Sequence, residues 1–148
     1  ANQARYGFRV RLVQGEAEHL PFRDASFDVV FHVGGINFFN DKAKAMAEMA
    51  RVAKPGTKIV VIDETERVAA LGEQLPFAQR FFKGRRGPID APVDCIPPGM
   101  TEVRVTYPAG GALYCLEFRK PVANLATVGL DRSRSPVPLT PHSAARIP

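Results

Sequence analysis

Apolar and polar residues follow two periodicities along this chain, and their order predicts an α/β fold. Residues 8–13 alternate between apolar side chains and arginines, which is typical of an edge strand with one buried face. Residues 27–33 and 57–63 are nearly continuous apolar runs, as expected of strands covered on both faces. Between them lies a helical pattern that runs to about Lys54. Strand, helix and strand in this order predict a βαβ unit with a right-handed crossover.

The predicted helix has polar signals at both ends and a polar side. Asn40 or Asp41 can cap its start by accepting a hydrogen bond from a free backbone amide. Glu48 and Arg51 lie three residues apart on the side away from the apolar stripe, which is a salt-bridging offset. Pro55-Gly56 ends the helix.

The second half of the chain predicts two short helices, a surface loop and a hairpin. Helical spacing extends over residues 66–83 and is broken at Pro76. Residues 84–99 contain four prolines and predict a loop. Alternation over residues 103–107 and 112–119, on either side of a Pro-Ala-Gly-Gly turn, predicts two antiparallel strands.

Composition indicates one domain followed by a tail. At 148 residues with 45% hydrophobic content, the chain can bury one core. Residues 121–148 combine five prolines with serine and arginine, so we expect a domain over residues 1–120 and an extended or disordered tail over residues 121–148. The net charge of +5 is not gathered on one periodic face, so no nucleic-acid partner is expected.

Cysteine usage and hydropathy bear on compartment and on metals. Cys95 and Cys115 are not in metal-ligand spacing, and we expect reduced thiols in a cytoplasmic protein without a bound metal. No apolar run approaches the roughly 20 residues of a membrane span, and the amino terminus lacks the pattern of a secretory signal. The oligomeric state is open.

Two segments carry a family resemblance. The runs GEAEHLPFRDASFDVVFHVGGINFF and EMARVAKPGTKIVVIDE resemble class I S-adenosylmethionine-dependent methyltransferases, in particular those of the quinone-biosynthesis branch. The resemblance covers about residues 8–120. It implies a Rossmann-like sheet of which this chain holds strands three to seven, with residues 8–13, 27–33 and 57–63 as strands three, four and five and the antiparallel hairpin closing the sheet.

Two parts of the family's cofactor site have no counterpart in this sequence. These are the glycine-rich turn after strand one and the acidic residue that ends strand two, and both would precede Ala1. Strands one and two would also lie beside strand three, which would otherwise have an exposed edge. We therefore interpret the chain as the carboxy-terminal part of a larger, here truncated, methyltransferase domain, or as a fragment whose missing strands are supplied otherwise.

The resemblance implies site residues at the ends of strands three and four. Glu16 matches the acid that accepts a hydrogen bond from the adenine amine, and the Ala17 amide can donate to the ring. His32, Val33 and Gly34 match the segment around the methionine part of the cofactor, where His32 could also act as a general base. The alternatives are that Glu16 is a solvated turn acid and that His32 is a packed strand-end histidine.

The acceptor side and the overall reaction follow from the same resemblance. Asn37 and Phe38 are the candidate substrate-binding residues. The implied function is methyl transfer from S-adenosylmethionine to a small-molecule acceptor. The nearby aromatic residues could line a pocket for an apolar acceptor. The alternative is an inactive methyltransferase fragment that acts as a binding module. A nicotinamide-dependent dehydrogenase is disfavoured, because no tyrosine is followed four residues later by lysine.

Overall fold

A four-stranded mixed sheet forms the centre of the computed structural model, which describes residues 10–77, 79 and 89–122. The strands are β1 (Val30–Val33), β2 (Lys58–Glu64), β3 (Thr101–Thr106) and β4 (Leu113–Arg119). The main helices are α1 (Lys42–Val52) and α2 (Glu66–Glu73), and short 3-10 turns occur at Ile36–Phe38 and Val93–Cys95. Among the described residues, no helix is both long and apolar enough to span a membrane.

The strand order is β1-β2-β4-β3, and it confirms the predicted fold class. β1 and β2 are parallel, with Val30 opposite Ile59 and Val33 opposite Ile62. β4 is antiparallel to both of its neighbours, so the predicted closing hairpin is inserted with its second strand next to β2. A parallel pair extended by such a hairpin matches strands four, five, seven and six of the sheet that the resemblance implied.

One face of the sheet packs against α1 and contains the core. Alternate residues of β2 and β4 are fully buried there, because cross-strand partners in register share a face. The core comprises Ile36, Met46, Met49, Ala50, Ala53, Ile59, Val61, Tyr114, Leu116 and Phe118. On the opposite face and edge, Phe31 and Val33 of β1 remain 68% and 62% exposed.

The prediction of a strand over residues 8–13 is wrong for its described part. Residues 10–15 are exposed and form no ladder with any described strand. An isolated strand leaves its backbone donors and acceptors unpaired, so alternation alone cannot hold one in place. Residues 8 and 9 lie outside the described residues, as do most of the second predicted helix and residues 123–148.

The fourth strand of the resemblance is shorter than predicted, because its first residues pair with the end of α1. The amide of Phe27 donates to the carbonyl of Val52, and the amide of Lys54 donates to the carbonyl of Phe27. Regular pairing with β2 therefore starts only at Val30. The effect is to dock the segment before β1 onto the carboxyl end of α1.

Both ends of α1 are capped by side chains. Asp41, one of the two predicted caps, accepts a hydrogen bond from the Lys44 amide at 2.8 Å. At the other end, the Lys120 ammonium donates to the carbonyls of Ala50 and Ala53, both at 2.8 Å. A cation at this position satisfies carbonyls that the helix leaves free and opposes the negative end of its dipole.

Replacing Lys120 with methionine is expected to lower the free energy of unfolding by about 1–2 kcal/mol, because charge-assisted bonds to the helix carbonyls are lost. Chemical denaturation measures this difference. The matched control is Lys58→Met, which removes an exposed ion pair to Glu117 at 3.3 Å and should change stability by less than about 0.5 kcal/mol. Equal effects of the two substitutions would contradict the capping role.

Candidate functional site

The first predicted site segment forms a tight turn beside a cavity. The His19 amide donates to the Glu16 carbonyl at 3.1 Å, and the Glu16 carboxylate is largely exposed, 3.4 Å from His19 Nδ1. The turn contributes one wall of a cavity of about 370 Å3. The residues that line this cavity are Glu16, Ala17, Glu18, His19, Phe39, Asn40, Asp41 and Lys44. Both residues predicted to meet adenine therefore border an open space.

The turn is fastened to the start of α1. Glu18 Oε1 accepts hydrogen bonds from the amides of Asn40 at 3.1 Å and Asp41 at 3.2 Å. The bond from Asp41 is the main reason why the pKa of Glu18 lies below its usual value. Lys44 Nζ lies 2.6 Å from His19 Nε2 and makes a second link. These contacts fix the position of the turn relative to the amino-terminal end of α1.

The residues just after this turn are also bonded to α1. The Leu20 amide donates to Glu48 Oε2 at 2.7 Å, and Arg51 donates to the carbonyls of Leu20 and Phe22 at 3.0 and 2.8 Å. Its hydrogen bond with Arg51 lowers the pKa of Glu48 to about 2, so this carboxylate stays ionised. The predicted Glu48–Arg51 pair is confirmed, and its contacts with the backbone of the turn are additional.

The second predicted site segment lies at the carboxyl end of β1. The His32 ring packs against Phe39 with a centroid separation of 5.1 Å, and its Nε2 is buried without a hydrogen-bond partner among the described residues. Burial lowers the pKa of His32, while the negative charge of Asp63 partly opposes this effect. Burial therefore favours the neutral form of the imidazole.

Phe39 connects the two segments. It lines the cavity beside Glu16 and Ala17, and its ring contacts His32. Neither link was predicted from the sequence. The turn and the end of β1 are thus brought to one region, although no described strand lies between them.

The glycines after β1 leave open space above the strand end. Gly34 and Gly35 have φ values of 72° and 96°, which favour glycine, and a Cβ on either would meet no atom within 4 Å. The Gly34 amide donates to the Ile62 carbonyl at 2.9 Å, which fixes the chain there. Val33 just before it is largely exposed. Val33 and Gly34 are therefore accessible to a ligand.

The two candidate acceptor residues differ in access. Phe38 is partly exposed, whereas Asn37 is buried. Asn37 Oδ1 accepts a hydrogen bond from Lys42 Nζ at 3.1 Å, and its Nδ2 has no partner among the described residues. The Phe38 side chain can contact a ligand directly, whereas the Asn37 side chain, on the same 3-10 turn, is buried.

An acidic pair at the end of β2, in which Asp63 is buried and Glu64 is half-buried, was not identified from the sequence. Asp63 Oδ2 accepts from the Ile36 amide at 2.9 Å, and Oδ1 accepts from the Glu64 amide at 2.9 Å. A hydrogen bond with the Asp63 carboxyl, together with burial, raises the pKa of Glu64 to about 7. The available signal was an acid at the end of an apolar run, a pattern that is equally typical of the residue that starts the following helix.

Stability is expected to depend on the protonation of Glu64. Its pKa is about 7 in the folded protein, compared with 4.5 for an ordinary glutamate, so this contribution is complete below pH 4.5 and is lost as the pH rises through 7. Relative to Glu64→Gln, the free energy of unfolding should fall by about 1 kcal/mol over this range after allowance for solvent screening. Denaturation at several pH values measures it. Parallel curves for the two proteins would refute the raised pKa.

Several known proteins are similar in sequence to this chain. A family model described as a methyltransferase domain matches residues 1–61. A ubiquinone/menaquinone biosynthesis C-methyltransferase UbiE of Idiomarina loihiensis is 41% identical over 66 residues, which is 45% of this chain and 26% of that protein. A demethylmenaquinone methyltransferase of Lactiplantibacillus plantarum is 43% identical over 58 residues, or 39% of this chain and 24% of that protein.

Solved structures support the fold. A Thermotoga maritima SAM-dependent methyltransferase, described as a possible histamine N-methyltransferase, aligns with a TM-score of 0.60 and 22% identity over 75% of this chain and 64% of that chain. This chain spans only about a quarter of the length of the two sequence relatives described above. Strand order, sequence relatives and structural neighbours agree with the family resemblance: the chain is similar to class I S-adenosylmethionine-dependent methyltransferases, and its matched sequence relatives are methyltransferases of quinone biosynthesis.

Proposed function

We propose that this chain forms the adenine side and the acceptor side of an enzyme that transfers the methyl group of S-adenosylmethionine to a quinone-type small molecule. The observation that carries this proposal is the convergence on Phe39. That ring lines the cavity beside Glu16 and Ala17 and also contacts His32 at the end of β1. Relatives named as quinone-biosynthesis methyltransferases support the class of acceptor.

The residues present fit the adenine end of the cofactor. The Glu16 carboxylate is largely exposed and can accept a hydrogen bond from an exocyclic amine in place of its contact with His19. Ala17 brings a backbone amide to the wall of the same cavity. When bound, S-adenosylmethionine supplies a methyl group already activated on a sulfonium. The task of the chain is then to orient the reactants and exclude water.

His32 is the proposed proton acceptor. Its Nε2 is buried without a partner among the described residues, and burial favours the neutral form of the imidazole. A neutral ring nitrogen can take the proton that an acceptor hydroxyl or ring carbon loses as the methyl group is transferred. Gly34, with open space above it, lets an acceptor approach this end of β1.

Methyl transfer from a labelled cofactor tests the proposal. The full-length protein is incubated with S-adenosylmethionine carrying a labelled methyl group and with a reduced quinone that has an unsubstituted ring position. We expect label in the quinone product and a fall of about 100-fold in kcat for His32→Gln. Absence of label in every quinone acceptor, with the folded protein present, would overturn the proposed acceptor class.

A second candidate function is a binding module without catalysis. It is favoured by the exposed edge of β1, where Phe31 and Val33 are open to solvent, and by an adjoining apolar groove of about 190 Å3. A full-length protein that binds a partner through this edge but binds no cofactor would support the second candidate over the first.

A further inference from the structure

The Leu20 peptide groups are held on both sides by one pair of side chains. Its amide donates to Glu48 Oε2 at 2.7 Å, and its carbonyl accepts from Arg51 Nη2 at 3.0 Å. Both side chains come from the same side of α1. The backbone amide and the backbone carbonyl of Leu20 are therefore both bonded to side chains of α1.

The pair is rigid because Arg51 uses its whole guanidinium. Nε and Nη2 donate to the two oxygens of Glu48 at 2.6 and 2.7 Å, and Nη1 donates to the Phe22 carbonyl and to Asp24 at 2.8 and 2.7 Å. With the bond to Leu20, all five N–H donors of the planar group have acceptors. Lysine has a single nitrogen and cannot reproduce this fork.

Glu48 and Arg51 hold Leu20, which lies three to four residues after the adenine-side residues of the turn. Upstream of it, Glu18 ties the turn to the amides of Asn40 and Asp41. The turn is thus anchored at residue 18 and again at residue 20, and these two anchors set where Glu16 and Ala17 lie relative to Phe39. Freeing one anchor allows the turn to shift, and hydrogen bonds to a flat ring edge are sensitive to shifts of less than 1 Å.

We propose that Glu48 and Arg51 are positioning residues that hold the turn of residues 16–19 so that it selects adenine over hypoxanthine. This inference rests on the proposed function, because it concerns how the cofactor base is recognised. Adenine offers an amine to the Glu16 carboxylate, whereas hypoxanthine presents a carbonyl oxygen at the same place. A well-placed carboxylate disfavours that oxygen, because two acceptors face each other without a proton between them.

The discriminating measurement is a ratio of two affinities. Dissociation constants of S-adenosylhomocysteine and of its inosine analogue are determined by calorimetry on the full-length protein. In the wild type we expect adenine to be preferred by about tenfold or more. In Arg51→Met the ratio should approach one, and in Arg51→Lys it should recover only in part, because lysine keeps the charge but not the fork.

A control of reduced stability separates positioning from general destabilisation. Lys120→Met removes the cap at the carboxyl end of α1 without touching a side chain of the turn. It should lower stability and leave the affinity ratio unchanged. Amide exchange gives a readout that needs no ligand, since Arg51→Met should speed exchange at Leu20 while Lys120→Met should not.

The outcomes separate this inference from the proposed function. A wild type that binds neither nucleoside overturns both. A wild type that prefers adenine, with Arg51→Met keeping the same preference, overturns the positioning role alone. Loss of preference in Arg51→Met but not in Lys120→Met supports it.

Discussion

Replacing Tyr114 with alanine is expected to lower the free energy of unfolding by about 4 kcal/mol, the largest single effect that the fold predicts. Tyr114 has no exposed surface and packs in the core between the sheet and α1. Removing the ring leaves a cavity that the paired strands on either side cannot close. Chemical denaturation monitored by circular dichroism measures the loss.

Tyr114→Phe is the matched control, because it keeps the ring and removes only the hydroxyl. By geometry that hydroxyl has no hydrogen-bond partner among the described residues; burial raises its pKa overall and outweighs the nearby Asn37 side chain, which lowers the pKa. Deleting a buried polar group without a partner costs nothing in hydrogen bonds, so stability should stay within about 0.5 kcal/mol or increase. A loss of more than about 2 kcal/mol for Tyr114→Phe would mean that the hydroxyl is bonded in the folded protein.

Asp63→Ala is expected to lower the free energy of unfolding by about 3 kcal/mol, because it leaves the buried Ile36 amide without an acceptor. Asp63 is only 1% exposed, and its two oxygens serve the amides of Ile36 and Glu64. The substitution should also speed amide exchange at Ile36, which starts the 3-10 turn after β1. The pKa of Glu64 should fall, since its hydrogen bond with Asp63 is the largest cause of the raised value.

Asp28→Ala provides the comparison for Asp63. Asp28 is an exposed acid that pairs with Lys54 at 2.7 Å, and its loss should cost less than about 0.5 kcal/mol. If both substitutions cost the same, Asp63 does not hold the 3-10 turn in place.

The sheet was largely predictable because its strands carry their own signals. The apolar run of residues 57–63 became β2 within one residue at each end, and the alternation around the Pro-Ala-Gly-Gly turn became the β3–β4 hairpin. The strand predicted over residues 8–13 differs, because alternation describes a buried face but does not supply a neighbour to pair with. The start of the strand at Val30 likewise depends on contacts with α1 that no local pattern contains.

The site was predictable in its parts and not in its connections. The resemblance named Glu16, Ala17, His32, Val33 and Gly34, and the structure places the first two beside a cavity and the others at an accessible strand end. The roles proposed for them stay predictions. Helical spacing predicted the Glu48–Arg51 pair but not its bonds to the backbone of Leu20, since those depend on how the turn folds back over α1. The role of Asp63 was missed because an acid at the end of a strand has the same local sequence pattern whether it is buried or caps the following helix.

Calorimetry of cofactor binding by the full-length protein tests the central claim most directly. We expect heat on titration with S-adenosylmethionine and with S-adenosylhomocysteine, and a loss of about tenfold in affinity for Glu16→Ala because the hydrogen bond to the adenine amine is removed. No heat with either compound, from a protein shown to be folded, would contradict the account.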